Sequence, residues 1–244
     1  MAPPKLDPAS TVFFLCDVQT KFKPAIYGYE HVVATARKMI RLAKLMNIPV
    51  ICTTQNSKVM SAKPSKLPLS LYRKALGPTD PAIEADTLGP LLLGTFDKTL
   101  FSMMTPEVKA VLDARPGLES IVIFGIESHI CVQQTVLAIL YDGRYTPHVI
   151  ADGVSSCNSF EINIALDRLR TEGARIGTSE SVAFQLMRDA SLPTFKAFSR
   201  FVKEEKEGTK VNGEALLQHI PASRSPNASS PSEIGSGGVV VAKY

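Results

Sequence analysis

A chain of 244 residues that is 45% hydrophobic and 20% charged can hold one domain and a tail, or at most two small domains, without disulfide or metal staples. Its formal charge of +4 does not by itself define a nucleic-acid binder, and no apolar run reaches the roughly 20 residues that span a bilayer. Cys16, Cys52, Cys131 and Cys157 show no CxxC spacing, and MAPPKLDPAS has neither a signal-peptide core nor an Arg-rich transit pattern. The expected location is therefore cytoplasmic, with the mitochondrion left open.

Residues 1–10 read as an N-terminal extension. Thr11–Asp17 is a continuous apolar run ending in an acid, the pattern of a strand buried on both faces. Apolar residues recur at helical spacing from Val32 to Leu45, and Asn47 and Pro49 close a helix that begins near Tyr29. Ile48–Thr54 is the next strand. Residues 55–92, broken by Pro64, Pro68, Pro78, Pro81 and Pro90, read as a long irregular loop, of the kind that serves as a lid or an oligomer contact. Leu93–Asp97 is a short strand, and Thr105-Pro106-Glu107 opens a helix with Thr as its cap. Ser120–Gly125 is another wholly apolar strand, followed by a helix over 129–142 and a strand at Thr146–Asp152. Asn158 and Glu161 predict a capping box for a helix that Gly173 ends. A strand at Ala174–Gly177 and helices over 179–190 and 194–206 complete the pattern.

Six strands alternating with helices predict the α/β class: a six-stranded parallel sheet in a three-layer, doubly wound (Rossmann-like) fold, one domain over 11–206. From Glu207 the composition turns rich in Pro, Ser and Gly, so 207–244 reads as a flexible, disordered tail.

In such sheets ligands bind beyond the carboxyl ends of the strands, where the strand order reverses. Asp17 closes the first strand, Lys98 follows the third, and Cys131 lies six residues past the fourth. An acid, an amine and a thiol there make a workable nucleophilic site. Asp17 accepts the thiol proton, Lys98 favours the thiolate, and a helix start at Cys131 adds its dipole and amides. Each residue also has a plain structural reading: Cys131 as small core residue, Asp17 as helix cap, Lys98 as surface charge.

The surrounding segments decide between these readings. FLCDVQTKF around Asp17, FDKTLFSM around Lys98 and GIESHICV around Cys131 resemble the three signature segments of the isochorismatase-like cysteine hydrolases, in the family's order and spacing. The resemblance covers residues 11–203 and extends to the isochorismatase domain-containing branch, through Gly125-Ile126-Glu127, Cys131 and Thr178-Ser179-Glu180. It implies a Cys131 nucleophile, an Asp17 general base and a supporting Lys98. It also implies a non-proline cis peptide at Ile126–Glu127 and an oxyanion hole from the amides of Glu127 and Cys131. A homo-oligomer, dimer or tetramer, is implied as well.

Two departures shape the chemistry. Nicotinamidase-type relatives carry metal ligands after the second strand, whereas this chain has Thr54, Gln55 and Asn56 there. Its four histidines, His31, His129, His148 and His219, never approach ligand spacing, so neither metal nor other cofactor is expected. Isochorismatases proper cleave a vinyl ether, chemistry that needs no thiol. A thiol at 131 points instead to attack on a small amide or related compound through a thioester, with isochorismate cleavage as the alternative. Phe22, Phe96, Phe101, His129 and Ile126 are candidates to line the substrate pocket. His31–Thr79 carries nine Lys/Arg and no acid, which reads as a solvated basic face or, in the sharper version, as a nucleic-acid contact.

Overall fold

The computed structural model describes residues 6–56 and 76–217. Six strands form one sheet: β1 (Thr11–Cys16), β2 (Val50–Gln55), β3 (Leu92–Lys98), β4 (Ser120–Ile126), β5 (Thr146–Ser155) and β6 (Arg175–Gly177). All neighbours pair in parallel, in the order β3-β2-β1-β4-β5-β6, as the alternation of strands and helices predicts. The order reverses between β1 and β4, which places the ends of those two strands at the switch point.

Helices α1 (Tyr29–Met46), α5 (Ser179–Met187) and α6 (Phe195–Leu217) cover one face of the sheet. Helices α2 (Pro106–Asp113), α3 (Gln133–Asp142) and α4 (Ser159–Glu172) cover the other. The alternation of β1 joins the two halves of the core. Phe13 and Leu15 enter the cluster under α1, while Val12, Phe14 and Cys16 enter the cluster under α3. All six β1 side chains are buried, which is why its sequence is a continuous apolar run.

The helix ends follow the expected punctuation. Thr105 Oγ1 accepts from Val108 N–H at the start of α2, and Asn47 (φ 55°) and Gly173 (φ 107°) take left-handed conformations that end α1 and α4. The Asn158–Glu161 capping box does not form. The Asn158 side chain makes no cap bond, and its amide points to Cys157 Sγ at 3.6 Å.

Most boundaries shift by one to three residues from the sequence reading, and differences at three elements matter for packing. Strand β3 takes in Leu92 and Lys98, and β5 runs on to Ser155 through Asp152-Gly153, a pair that reads as a turn. Asp152 is instead buried, its carboxylate accepting from Ser179 N–H and Ser179 Oγ, both at 2.6 Å. Lys38 Nζ donates to the same Ser179 hydroxyl at 2.9 Å, so Ser179 pins α5 and α1 to β5. Burial, against the pull of Asp152, Glu180 and Glu205, lowers the Lys38 pKa.

The third difference is α6, which continues to Leu217 where composition places the tail from Glu207. Tertiary contacts with α1 override the local signal. Lys38 Nζ reaches Thr209 Oγ1 at 2.7 Å, His31 Nδ1 meets Asn212 Oδ1 at 2.9 Å, and Tyr27 Oη donates to Ala215 O at 3.1 Å. Arg41 pairs with Glu204 and Glu205, and Leu216 is buried. The remainder of the predicted tail, 218–244, lies outside the described residues.

Candidate active site

Asp17 follows β1 directly and is 1% exposed, with φ at 49°, an unusual conformation for a residue with a Cβ. Its Oδ1 accepts from Thr53 Oγ1 at 2.8 Å; its Oδ2 accepts from Lys98 Nζ at 2.6 Å and from Cys16 Sγ at 3.7 Å. Strand register puts each partner there: Thr53 lies level with Cys16, and Lys98 lies level with Gln55.

Lys98 is also buried, and its ammonium has more acceptors than protons. Besides Asp17 it meets Gln55 Oε1 at 2.6 Å, Phe101 O at 3.0 Å and Leu100 O at 3.2 Å. Burial by itself lowers the pKa of Lys98. Interaction with Cys16, Asp17 and Cys131, together with the Asp17 hydrogen bond, outweighs that and holds it above its ordinary value.

Cys131 is 7% exposed and sits in a single π turn, Ser128–Val132, ahead of α3. The sequence predicts an α-helical first turn here; the fold widens it, with Val132 N–H donating to Glu127 O at 3.1 Å. Thr135 Oγ1 donates to Cys131 O at 2.6 Å and accepts from Met103 N–H at 2.9 Å. The loop after Lys98 is thereby tied to the turn that carries the thiol. The Ile126–Glu127 peptide is cis.

Sequence reasoning missed Cys16, which it left as an apolar strand residue. Its side chain shares the α3-side core cluster with Cys131, whose thiol interacts with it electrostatically, and its Sγ donates to Asp17 Oδ2. Cys16 therefore links the two. Full burial, the Cys131 thiol and the Asp17 carboxylate, in that order, hold the Cys16 pKa well above the ordinary thiol range. Thr53 and Gln55 were missed as well, although their two-residue spacing at the end of β2 is a legible signal for one shared face.

Gly125 explains the first letter of the GIE segment. It lies level with Cys16 at φ 126°, and a Cβ there would stand 2.1 Å from Cys16 O. Only glycine lets β4 close on the strand that ends in Asp17.

The pocket candidates separate. Ile126 is fully buried, Phe22 packs with the α1-side cluster, and Phe96 packs with the α3-side cluster, its ring against Gly94. Phe101 is 48% exposed beside Lys98, and His129 is half-buried with Nδ1 2.8 Å from Ser156 Oγ. A cavity of about 690 Å³ opens instead beside β2 and β3, lined by Thr54, Asp80, Thr95 and Asp97 among others. It holds none of Asp17, Lys98 and Cys131.

At the end of β2, where the sequence reading looked for metal ligands, Thr54 Oγ1 donates to Asp97 at 2.9 Å and Gln55 Oε1 accepts from Lys98. Within α1, Lys38 is buried, Arg41 pairs with α6, and the exposed Lys44 donates to Thr87 Oγ1 at 2.8 Å. Arg37 is exposed, and Lys58, Lys63, Lys66, Arg73 and Lys74 lie outside the described residues. Among the described residues no helix is long and apolar enough to cross a membrane.

A doubly wound sheet with this polar cluster at its switch point defines an isochorismatase-like α/β hydrolase class. The chain matches the family model described as "Isochorismatase domain" over residues 11–181, and it belongs to that family. It is 40% identical over 200 residues to isochorismatase domain-containing protein 2 of Xenopus laevis, covering 82% of this chain and 87% of that one. Identity to isochorismatase domain-containing protein 1 of Salmo salar is 38% over 198 residues, covering 81% of this chain but only 62% of that protein's length.

Among solved structures, a Caenorhabditis elegans protein described as MAR1 ribonuclease superposes with a TM-score of 0.66 at 27% identity, covering 95% of this chain and all of that one. The Escherichia coli YcaC product, described as an octameric hydrolase of unknown specificity, shares the fold at a TM-score of 0.63 and 19% identity, covering 90% and 95%.

Proposed function

We propose that the chain is a cysteine hydrolase of a small amide or related carbonyl compound, working without a metal in the chemical step. The observation that carries this reading is the buried Lys98–Asp17 pair, 2.6 Å long, with the linked thiols of Cys16 and Cys131 set against it. Such a pair is costly to bury for stability alone and is at home where a charge must form.

In the proposed reaction Cys131 Sγ attacks the carbonyl carbon, and its proton passes to Asp17. Cys16, which touches both groups, is placed to relay it. The carbon–nitrogen bond breaks as ammonia or an amine leaves with that proton. Water then hydrolyses the thioester and regenerates the thiol. Lys98 supplies the positive charge, and the amides of Glu127 and Cys131 hold the oxyanion. Self-association is part of the proposal, because α4 presents Phe160 and Ile164 one turn apart, each 61% exposed. A cytoplasmic location is proposed with it.

The test is turnover of a panel of small amides and isochorismate by wild type beside Cys131→Ala. Release of ammonia or amine by wild type only is the expected result. Isochorismate cleavage that survives Cys131→Ala would replace this reading with thiol-independent vinyl ether chemistry.

A further inference from the structure

We infer that Glu127, His129 and Cys157 form a binding site for a thiophilic divalent cation, zinc foremost, beside the active site and apart from its chemistry. A carboxylate oxygen, an imidazole nitrogen and a sulfur from these residues all lie within 4.8 Å of one another. That is the mixed donor set zinc takes, and three protein ligands leave its fourth position open for water. Ligand bonds of the usual length put tetrahedral donors about 3.5 Å apart, so the side chains need to close by only about 1 Å.

The sequence conceals this site because its members are distant in the chain. Glu127 and His129 flank the start of the π turn, while Cys157 follows β5. The pairing of β4 with β5, Ile126 level with Ser155, brings the two strand ends together. The expectation of no metal rested on histidine spacing, and this cluster needs only one histidine.

A second layer of contacts holds the donors in place, as metal sites require. Ser156 Oγ fixes the His129 ring at 2.8 Å and is itself bonded to Ser128 Oγ at 2.7 Å. Cys157 N–H donates to Glu127 Oε2 at 2.8 Å, which locks the carboxylate against the backbone of the sulfur ligand. The Asn158 amide lies 3.6 Å from Cys157 Sγ, placed to support a thiolate. Glu127 and His129 are half-buried while Cys157 is exposed, so an ion can enter from solvent. Binding forms a metal–sulfur bond and releases the thiol proton to water, with no change of oxidation state.

The test uses the full chain, reduced and stripped with chelator, titrated with zinc chloride by calorimetry and with cobalt(II) in an absorption cell. One equivalent of zinc and a near-ultraviolet thiolate-to-cobalt band are expected. Cys157→Ser is expected to abolish the band and to weaken zinc at least about tenfold; Glu127→Gln is expected to weaken zinc likewise while the band survives at saturating cobalt. In wild type, zinc is expected to shield Cys157 from iodoacetamide in peptide mapping, a readout independent of any variant. Cys131→Ala should keep the band. No zinc binding by wild type, no protection of Cys157, or a band that follows Cys131 rather than Cys157 would each overturn the assignment.

Discussion

Lys98→Met is the most informative single change. Methionine keeps most of the side-chain volume but leaves the Asp17 carboxylate, 1% exposed, with only Thr53 and Cys16 as donors. Breaking one side of a buried ion pair costs about 3–5 kcal/mol. In a domain of this size each kcal/mol moves the melting temperature by about 2–4 °C, so Lys98→Met should melt about 6–20 °C lower. Asp17→Asn/Lys98→Met removes both charges and should recover most of that loss. The pair's contribution has a definite pH window. Because the folded-state pKa of Lys98 is raised, its stabilisation is complete below the ordinary lysine value of 10.5 and is lost as pH rises from there through the folded value. Urea titrations of the three proteins at neutral pH, with wild type repeated at strongly alkaline pH, measure this. A loss below about 1 kcal/mol for Lys98→Met, or a double variant no more stable than the single, would refute the argument from an uncompensated buried charge.

In kinetics, Asp17→Asn and Lys98→Ala should each slow turnover on the order of 100-fold or more, and the double variant should lose far less than the product, since the groups act as a unit. Limiting iodoacetamide on zinc-free protein should label Cys131 ahead of the other thiols when peptides are mapped. Burial pushes Cys52 up to about 12 and Cys16 well above the ordinary range, and burial with the Glu127 carboxylate raises Cys157. Preferential labelling of Cys157 would undo the nucleophile assignment. Acid should destabilise the fold through His148, which burial first and Arg175 second lower to about 4 from 6.5. A depressed histidine stabilises above its unfolded value and loses that contribution, about 3 kcal/mol, as pH falls from 6.5 toward 4; His148→Gln should flatten the slope measured by urea titration.

Much of this molecule was legible in its sequence, for reasons that differ by element. Strands β1 and β4 are buried on both faces, so their apolar runs announce themselves, and the parallel order follows from helices between strands. Asp17, Lys98 and Cys131 could be singled out as candidates because they fall at or just beyond strand ends inside recognisable segments. Cys16 was passed over because a buried cysteine looks the same whether it packs or relays. The Glu127–His129–Cys157 cluster was invisible because it depends on which strand pairs with β5, and no local spacing reports that. The last eleven residues of α6 failed for a complementary reason: Gly208 and Gly213 weaken the local helix signal, and the contacts that rescue it come from α1.

The clasp between α6 and α1 also acts as a long mechanical linkage. Tyr27 holds Ala215 through its hydroxyl, while its backbone N–H donates to Ser156 O at 3.0 Å and its carbonyl accepts from Ser155 Oγ at 2.5 Å. One tyrosine thus bridges the far end of the last helix and the segment that positions His129. A chain cut after Lys206, where composition draws the border, would keep every residue of the hydrolytic cluster and still slacken the loop beside it. Fraying of the final turns of α6, followed by hydrogen exchange, should surface as exchange at Ser156 and Cys157 before it reaches the central strands.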